Sequence, residues 1–223
     1  LIVRRIGNSA RDFKKNRKCS VDKKSHLHVF DFDDTLFFTD NTVKIVTEFN
    51  SEIHLNSREY ALFEMHKELP EKGITKELAK QIILNYDNFE KVVNPRPVQR
   101  NLHIFRNILK HSNISSESLN LYIVTARSGH KNRLDIKNAV DKFCQDLLPD
   151  GGFPITHIIT KDLQVLGNST AEKKRMKVEE LMKEKNLDRV HFLDDSIKNI
   201  EEMSKIPGRF RLVTCKEDDS TPS

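Results

Sequence analysis

A chain of 223 residues is long enough for one large domain or for a core with an insertion. Hydrophobic residues make up 37% and charged residues 32%, which suffices for a core, and no apolar run approaches the roughly 18 residues that span a bilayer, so no membrane role is expected. Of 38 basic and 33 acidic side chains, residues 1–24 hold nine and two, a net of +7, and the remainder stands at −2.

Residues 1–24 therefore read as a basic arm. Such an arm can bind nucleic acid or a protein assembly, or it can be a solvated tail. It lacks the long apolar segment of a signal peptide, and a chain starting at Leu1 reads as a processed product or a fragment. Cys19, Cys144 and Cys215 lie far apart with no paired spacing. That argues against a zinc site or a disulfide framework and points to a reducing compartment.

From residue 26 the pattern is regular. "LHVFDF" reads as a buried strand that runs into Asp31, Asp33 and Asp34. Residues 36–93 then read as helices only: "SREYALFEMHKEL" and "TKELAKQIILNY" carry apolar positions at helical spacing, with Ser57 and Thr75 as N-caps. "NPRP" at 94–97 breaks the chain. "VQRNLHIFRNILK" places Leu102, Phe105, Ile108 and Leu109 on one helical stripe.

"LNLYIVTAR" is the second strand, followed by a helix at about 131–148 and by "ITHIIT" as a third strand. "STAEKKRMKVEELMKEK" is a helix capped by Ser169 or Thr170, "RVHFLDD" a fourth strand, "SIKNIEEMSK" a short helix and "RFRLVT" a last strand. This alternation predicts an α/β fold, a Rossmann-like parallel sheet with helices on both faces and a helical cap insertion after the first strand. The expected division is a basic arm at 1–24, a core at 25–35 and 94–215, a cap at 36–93 and a tail at 216–223.

Ligands of parallel α/β sheets bind at the carboxyl ends of the strands. Three strands here end in polar residues: Asp31-Phe32-Asp33-Asp34-Thr35, Thr125-Ala126-Arg127 and Asp194-Asp195-Ser196. Two acidic strand ends at one sheet edge repel each other in a low dielectric, and a divalent cation resolves the conflict. Oxygen-only ligands suit Mg²⁺.

"DFDDT" at 31–35, "IVTAR" at 123–127 and "FLDDS" at 192–196 resemble the first, second and fourth motifs of the haloacid dehalogenase (HAD) superfamily. The overall run is also similar to HAD-like proteins encoded by large tailed bacteriophages. The resemblance implies a phosphatase with Asp31 as nucleophile and Asp33 as general acid and base. Thr125 and a lysine would hold phosphoryl oxygens, and Mg²⁺ would be bound by Asp31, the Asp33 carbonyl and one of Asp194 and Asp195. Asp195, preceding Ser196 and standing four before Asn199, is the better ligand. Asp194 would then support the lysine or a metal-bound water.

The lysine comes from Lys173, Lys174 and Lys177. With Val178 at the centre of the inward stripe, Lys174 lies within roughly 35° of it and Lys177 about 90° away, so Lys174 is aimed over the sheet. Arg127 either helps to fix phosphate or pins the cap. His26, His28 and His191 lack metal-binding spacing and read as structural, and Phe37 and Phe38 as hinge and cap packing. The glycosylation-like "NIS" at 113 and "NST" at 168 are accidental in this setting.

The expected partner is a phosphorylated substrate, a nucleotide or polynucleotide end, in the cytoplasm, or in the host cytoplasm or virion if phage-encoded. The alternative is a non-enzymatic virion or assembly component that keeps the fold as a building block.

Overall fold

The computed structural model describes residues 26–47, 51–112, 119–163, 167–207 and 209–214. The basic arm 1–24, Cys19, Cys215, Asn113 and the tail 216–223 lie outside the described residues. In chain order the elements are β1 (Leu27–Phe30), β2 (Phe37–Phe38), β3 (Val43–Val46), β4 (Glu52–Leu55), α1 (Ser57–His66), β5 (Ile83–Asn85), β6 (Arg96–Pro97), α2 (Gln99–His111), β7 (Leu121–Val124), α3 (His130–Cys144), β8 (Ile158–Ile159), α4 (Thr170–Glu184), β9 (Arg189–Asp194), α5 (Ile197–Met203) and β10 (Arg209–Thr214).

The core sheet is parallel throughout, in the order β10-β9-β1-β7-β8. Its inner strands are apolar on both faces, as a doubly covered sheet requires. Leu27 and Val29 of β1, with Tyr122 and Val124 of β7, pack against Val178, Leu181 and Met182 of α4 and Ile200 and Met203 of α5. Phe30, Leu121 and Ile123 face the other way, onto Leu102, Phe105 and Leu109 of α2 and Ile136, Ala139 and Val140 of α3. The period of two along each strand thus assigns one pair of helices to each face. All five strands read from the sequence are present. The third is shorter than "ITHIIT" suggests, because Ile155–His157 form a 3-10 turn before β8.

The insertion follows the first strand, and part of it is helical. Helix α1 is capped by Asn56 rather than Ser57: the Asn56 side chain accepts from Glu59 N, and the Glu59 carboxylate accepts from Asn56 N in a reciprocal box. The second expected helix, "TKELAKQIILNY", does not form. Thr75 Oγ1 accepts from Leu78 N at a 3-10 turn, and Ile83–Asn85 extend as β5 to pair with β3. The insertion therefore contains a three-stranded antiparallel sheet, β4-β3-β5, beside its helix. Ile45, Leu55, Phe63, Leu69 and Ile74 form its own small core. Strand pairing that buries Ile45 and half-buries Leu84 outweighs the helical spacing of 75–86.

Two linkers join insertion and core. β2 and β6 pair antiparallel, Asp40 N donates to Val93 O, and Asp40 accepts from Arg96 and Asn94. Phe37 is buried and packs its ring, tilted, against Phe32 and Phe143, in keeping with hinge packing. Among the described residues no helix is long and apolar enough to cross a membrane.

Candidate active site

The carboxyl ends of β9, β1 and β7 lie side by side because these strands are neighbours in the sheet. Asp31 follows β1, Asp194 ends β9 with Asp195 next, and Thr125 follows β7. One carboxylate oxygen from each of Asp31, Asp194 and Asp195 lies within 4.8 Å of the others, the one such metal-capable group among the described residues.

Lys174 reaches this cluster from the first turns of α4, whose N-cap Ser169 accepts from Glu172 N. Its Nζ donates to Asp31 Oδ1 and to Asp194 Oδ2, both at 2.8 Å. The side chain is 2% exposed. Lys177 instead pairs with Glu180 on the same helix. Burial disfavours the Lys174 ammonium, but Asp194 and Asp31 outweigh it and raise its pKa.

The three carboxylates are held differently. Asp194 is saturated: Oδ1 accepts from Ser196 N and Asn199 Nδ2, and Oδ2 from Lys174 and Asn199 Nδ2. Asp31 is pushed well above the carboxylate range by burial and by Asp194 and Asp195, against the pull of Lys174. Asp195 is raised to about 7 by burial and by repulsion from Asp194 and Asp34. Two buried carboxylates and the half-buried Asp195 around one ammonium carry, when ionised, more negative charge than it offsets. An all-oxygen set with that deficit fits a hard divalent cation, with Asp31 and Asp195 as the acids retaining capacity to bind it.

Thr35 ties the two acidic strand ends together. Its hydroxyl accepts from Asp195 N at 3.0 Å, and its carbonyl accepts from Asn101 Nδ2 at 2.8 Å. Just before Thr35 the chain turns tightly, with Asp34 in the left-handed region at φ 54° and its N–H donating to Phe37 O. Thr125 is buried, and its hydroxyl accepts from Arg127 N at 3.2 Å.

Asp33 stands apart from the acidic cluster. Its carboxylate takes two parallel hydrogen bonds from Arg127, Nε to Oδ2 at 2.8 Å and Nη2 to Oδ1 at 2.7 Å. Thr39 Oγ1 donates to the same Oδ1. The Arg127 guanidinium also reaches the Lys91 carbonyl, Asn41 Oδ1 and Asn132 Oδ1. Of the two roles open to Arg127 in the sequence, this geometry is that of pinning the insertion.

Asn41, Asn101 and Asn132 escaped the sequence reading, and Asn199 entered it only as a motif position and not as the residue that holds Asp194. All are buried polar side chains with hydrogen bonds to the site or its linkers. Asn101 stands one residue before the apolar stripe of α2, which was the signal available for it. At the amino end of β1, His26, His28 and His191 pack ring to ring with centroids 4.7–6.2 Å apart.

No protein-family model matches the chain, and no curated protein matches it. A similar solved structure is a HAD family enzyme from Bacteroides thetaiotaomicron in a magnesium complex. It is 12% identical, covers 89% of this chain and 98% of its own, and superposes with a TM-score of 0.36.

Proposed function

We propose that the chain is a Mg²⁺-dependent phosphohydrolase of the HAD type, acting on a phosphomonoester through an aspartyl-phosphate on Asp31. The observation that carries this reading is the meeting of Asp31, Asp194, Asp195 and Lys174 at one sheet edge. A scaffold has no need of two buried carboxylates and a half-buried third gathered around one ammonium.

A cation held by Asp31, Asp195 and the Asp33 carbonyl would neutralise phosphoryl charge and align the ester with Asp31. A carboxylate oxygen of Asp31 attacks phosphorus as the bond to the leaving oxygen breaks, and Asp33 gives that oxygen its proton. Asp33 then takes a proton from water, whose oxygen attacks phosphorus and frees Asp31. Lys174 fixes the attacking carboxylate and, with the Thr125 hydroxyl, offsets charge on the phosphoryl oxygens. Asn199 and Ser196 hold Asp194, and Asp194 holds Lys174.

The substrate class we favour is a nucleotide or a polynucleotide end, on the strength of the +7 arm at residues 1–24. The test is a panel of p-nitrophenyl phosphate, nucleotides and 3′- or 5′-phosphorylated oligonucleotides, with and without Mg²⁺. Cation-dependent release of phosphate supports the reading. Inactivity on the whole panel overturns it.

A further inference from the structure

We infer that Arg127 is a positioning residue that couples the placement of the insertion to the placement of the Asp33 carboxylate; this rests on the phosphohydrolase reading. One guanidinium does both tasks. Nε and Nη2 grip the two oxygens of Asp33, while Nη1 donates to the Lys91 carbonyl at 2.8 Å and Nη2 also reaches Asn41 Oδ1 at 2.8 Å. Asn41 belongs to the linker that leaves the core and Lys91 to the linker that returns. The two linkers are themselves bound together, since Asn41 Nδ2 donates to Lys91 O and Asn41 Oδ1 accepts from Val93 N.

Thr39 closes the ring. Its hydroxyl donates to Asp33 Oδ1 and accepts from Arg127 Nη2. The arginine side chain is 1% exposed and lies over the rings of Phe32 and Phe89. A planar fork of five donors in fixed geometry, packed on two faces, cannot follow one partner without releasing another. A shift of either linker therefore reaches Asp33 through the guanidinium, and a shift of the outgoing linker reaches it also through Thr39. Asp31, Asp194 and Asp195 are held instead by Lys174, Asn199 and Thr35, none of which belongs to the insertion. Among the described residues the insertion thus has a direct connection to the acid–base residue but not to the nucleophile.

The leaving group provides a readout that a merely structural role would not move. Nitrophenolate departs with little need of a proton, whereas an alkoxide needs one. Misplacing Asp33 should therefore cost far more on an alkyl phosphate than on p-nitrophenyl phosphate. Turnover of both substrates is measured for wild type, R127K, R127A and T39V, with amide hydrogen exchange of residues 39–41 and 89–93.

In R127A, kcat/KM, which ends at phosphoryl transfer and so leaves out the water step that Asp33 serves for both substrates, should fall about 100-fold or more on glycerol phosphate and less than about 10-fold on p-nitrophenyl phosphate. R127K keeps the charge without the fork and should show the same bias, reduced. T39V, outside the guanidinium and the least disruptive of the three, should show the bias most weakly, so the inference remains testable if R127A fails to fold. Equal losses on both substrates would overturn it. Exchange in D33N separates this outcome from failure of the phosphohydrolase reading, because it needs no turnover. Linker amides that exchange at least about 10-fold faster in D33N, as in R127A, support the coupling even in an inactive protein. Linkers as protected in D33N as in wild type would refute it.

Discussion

Arg127 and Asp33, 94 positions apart in the chain, are joined by two parallel hydrogen bonds of 2.8 and 2.7 Å at the point where the insertion leaves the core. The pair is almost fully buried on the arginine side and 18% exposed on the aspartate side. It divides the acidic residues of "DFDDT" into two environments. Asp31 faces Lys174 and the paired acids of β9, and Asp33 faces the insertion. Burial holds the Asp31 carboxyl high, and a cation bound beside it would favour the ionised form that the proposed nucleophile requires.

Lys174 is the charge on which the cluster depends. Lys174→Met leaves Asp31 and Asp194 buried without their shared cation. Breaking a buried pair on one side costs about 3–5 kcal/mol, and that loss is expected in urea unfolding of the metal-free protein. Phosphatase turnover should fall by at least about 100-fold. Lys177→Met, altering a helix-surface pair, should stay within about 0.5 kcal/mol of wild type.

Acidity and cation binding should be linked through Asp195. Its carboxyl is raised to about 7, so its contribution to metal-free stability is full below the ordinary carboxylate range and is lost as pH rises through about 7. A bound cation favours the ionised form and reverses that loss. The rise in Tm on adding Mg²⁺ should therefore be larger at pH 8 than at pH 5.5, as read by thermal melts at both values. In Asp195→Asn the Mg²⁺-induced rise should disappear, and the metal-free protein should melt higher than wild type at pH 8.

Much of this site was legible in the sequence because strand ends have a fixed side. An apolar strand running into Asp31, another into Thr125 and a third into Asp194 must deliver those groups to one edge if the sheet is parallel. Helical phase separated Lys174 from Lys177 for the same reason, since Val178 and Leu181 define which way α4 faces. The insertion was less legible. "TVKIVT" alternates with a strand period, and β3 carries it; Glu52–Leu55 follows closely and pairs with it as a hairpin, but Ile83–Asn85 is distant and carries no local mark of pairing. The supporting asparagines were hidden because a buried polar side chain is recognised only by what it bonds. Arg127 was visible as a residue, yet its pairing with Asp33 depends on the linkers brought in by β2 and β6.

The basic arm should act on binding and not on chemistry. Removing residues 1–24 takes away +7 of charge but none of the groups around Asp31. Turnover of p-nitrophenyl phosphate should remain within about twofold. Any affinity for duplex nucleic acid should fall steeply with salt in the full chain, with a slope of log affinity against log salt of about −4 to −5 for five phosphate contacts. Most of that slope should be lost on deletion. Full-length protein showing no salt-sensitive binding would remove nucleic acid as the partner of the arm.

Covalent chemistry at Asp31 is open to direct observation. Protein in steady turnover with a phosphomonoester and Mg²⁺ is quenched in acid, digested and examined by mass spectrometry for a phosphoryl group on the peptide containing Asp31. The expected result is phosphate on Asp31 in the wild type, none in Asp31→Asn, and no measurable kcat in that variant, which should still fold. Turnover in Asp31→Asn at the wild-type rate, or an active wild type that never carries phosphate on Asp31, would contradict the nucleophile assignment.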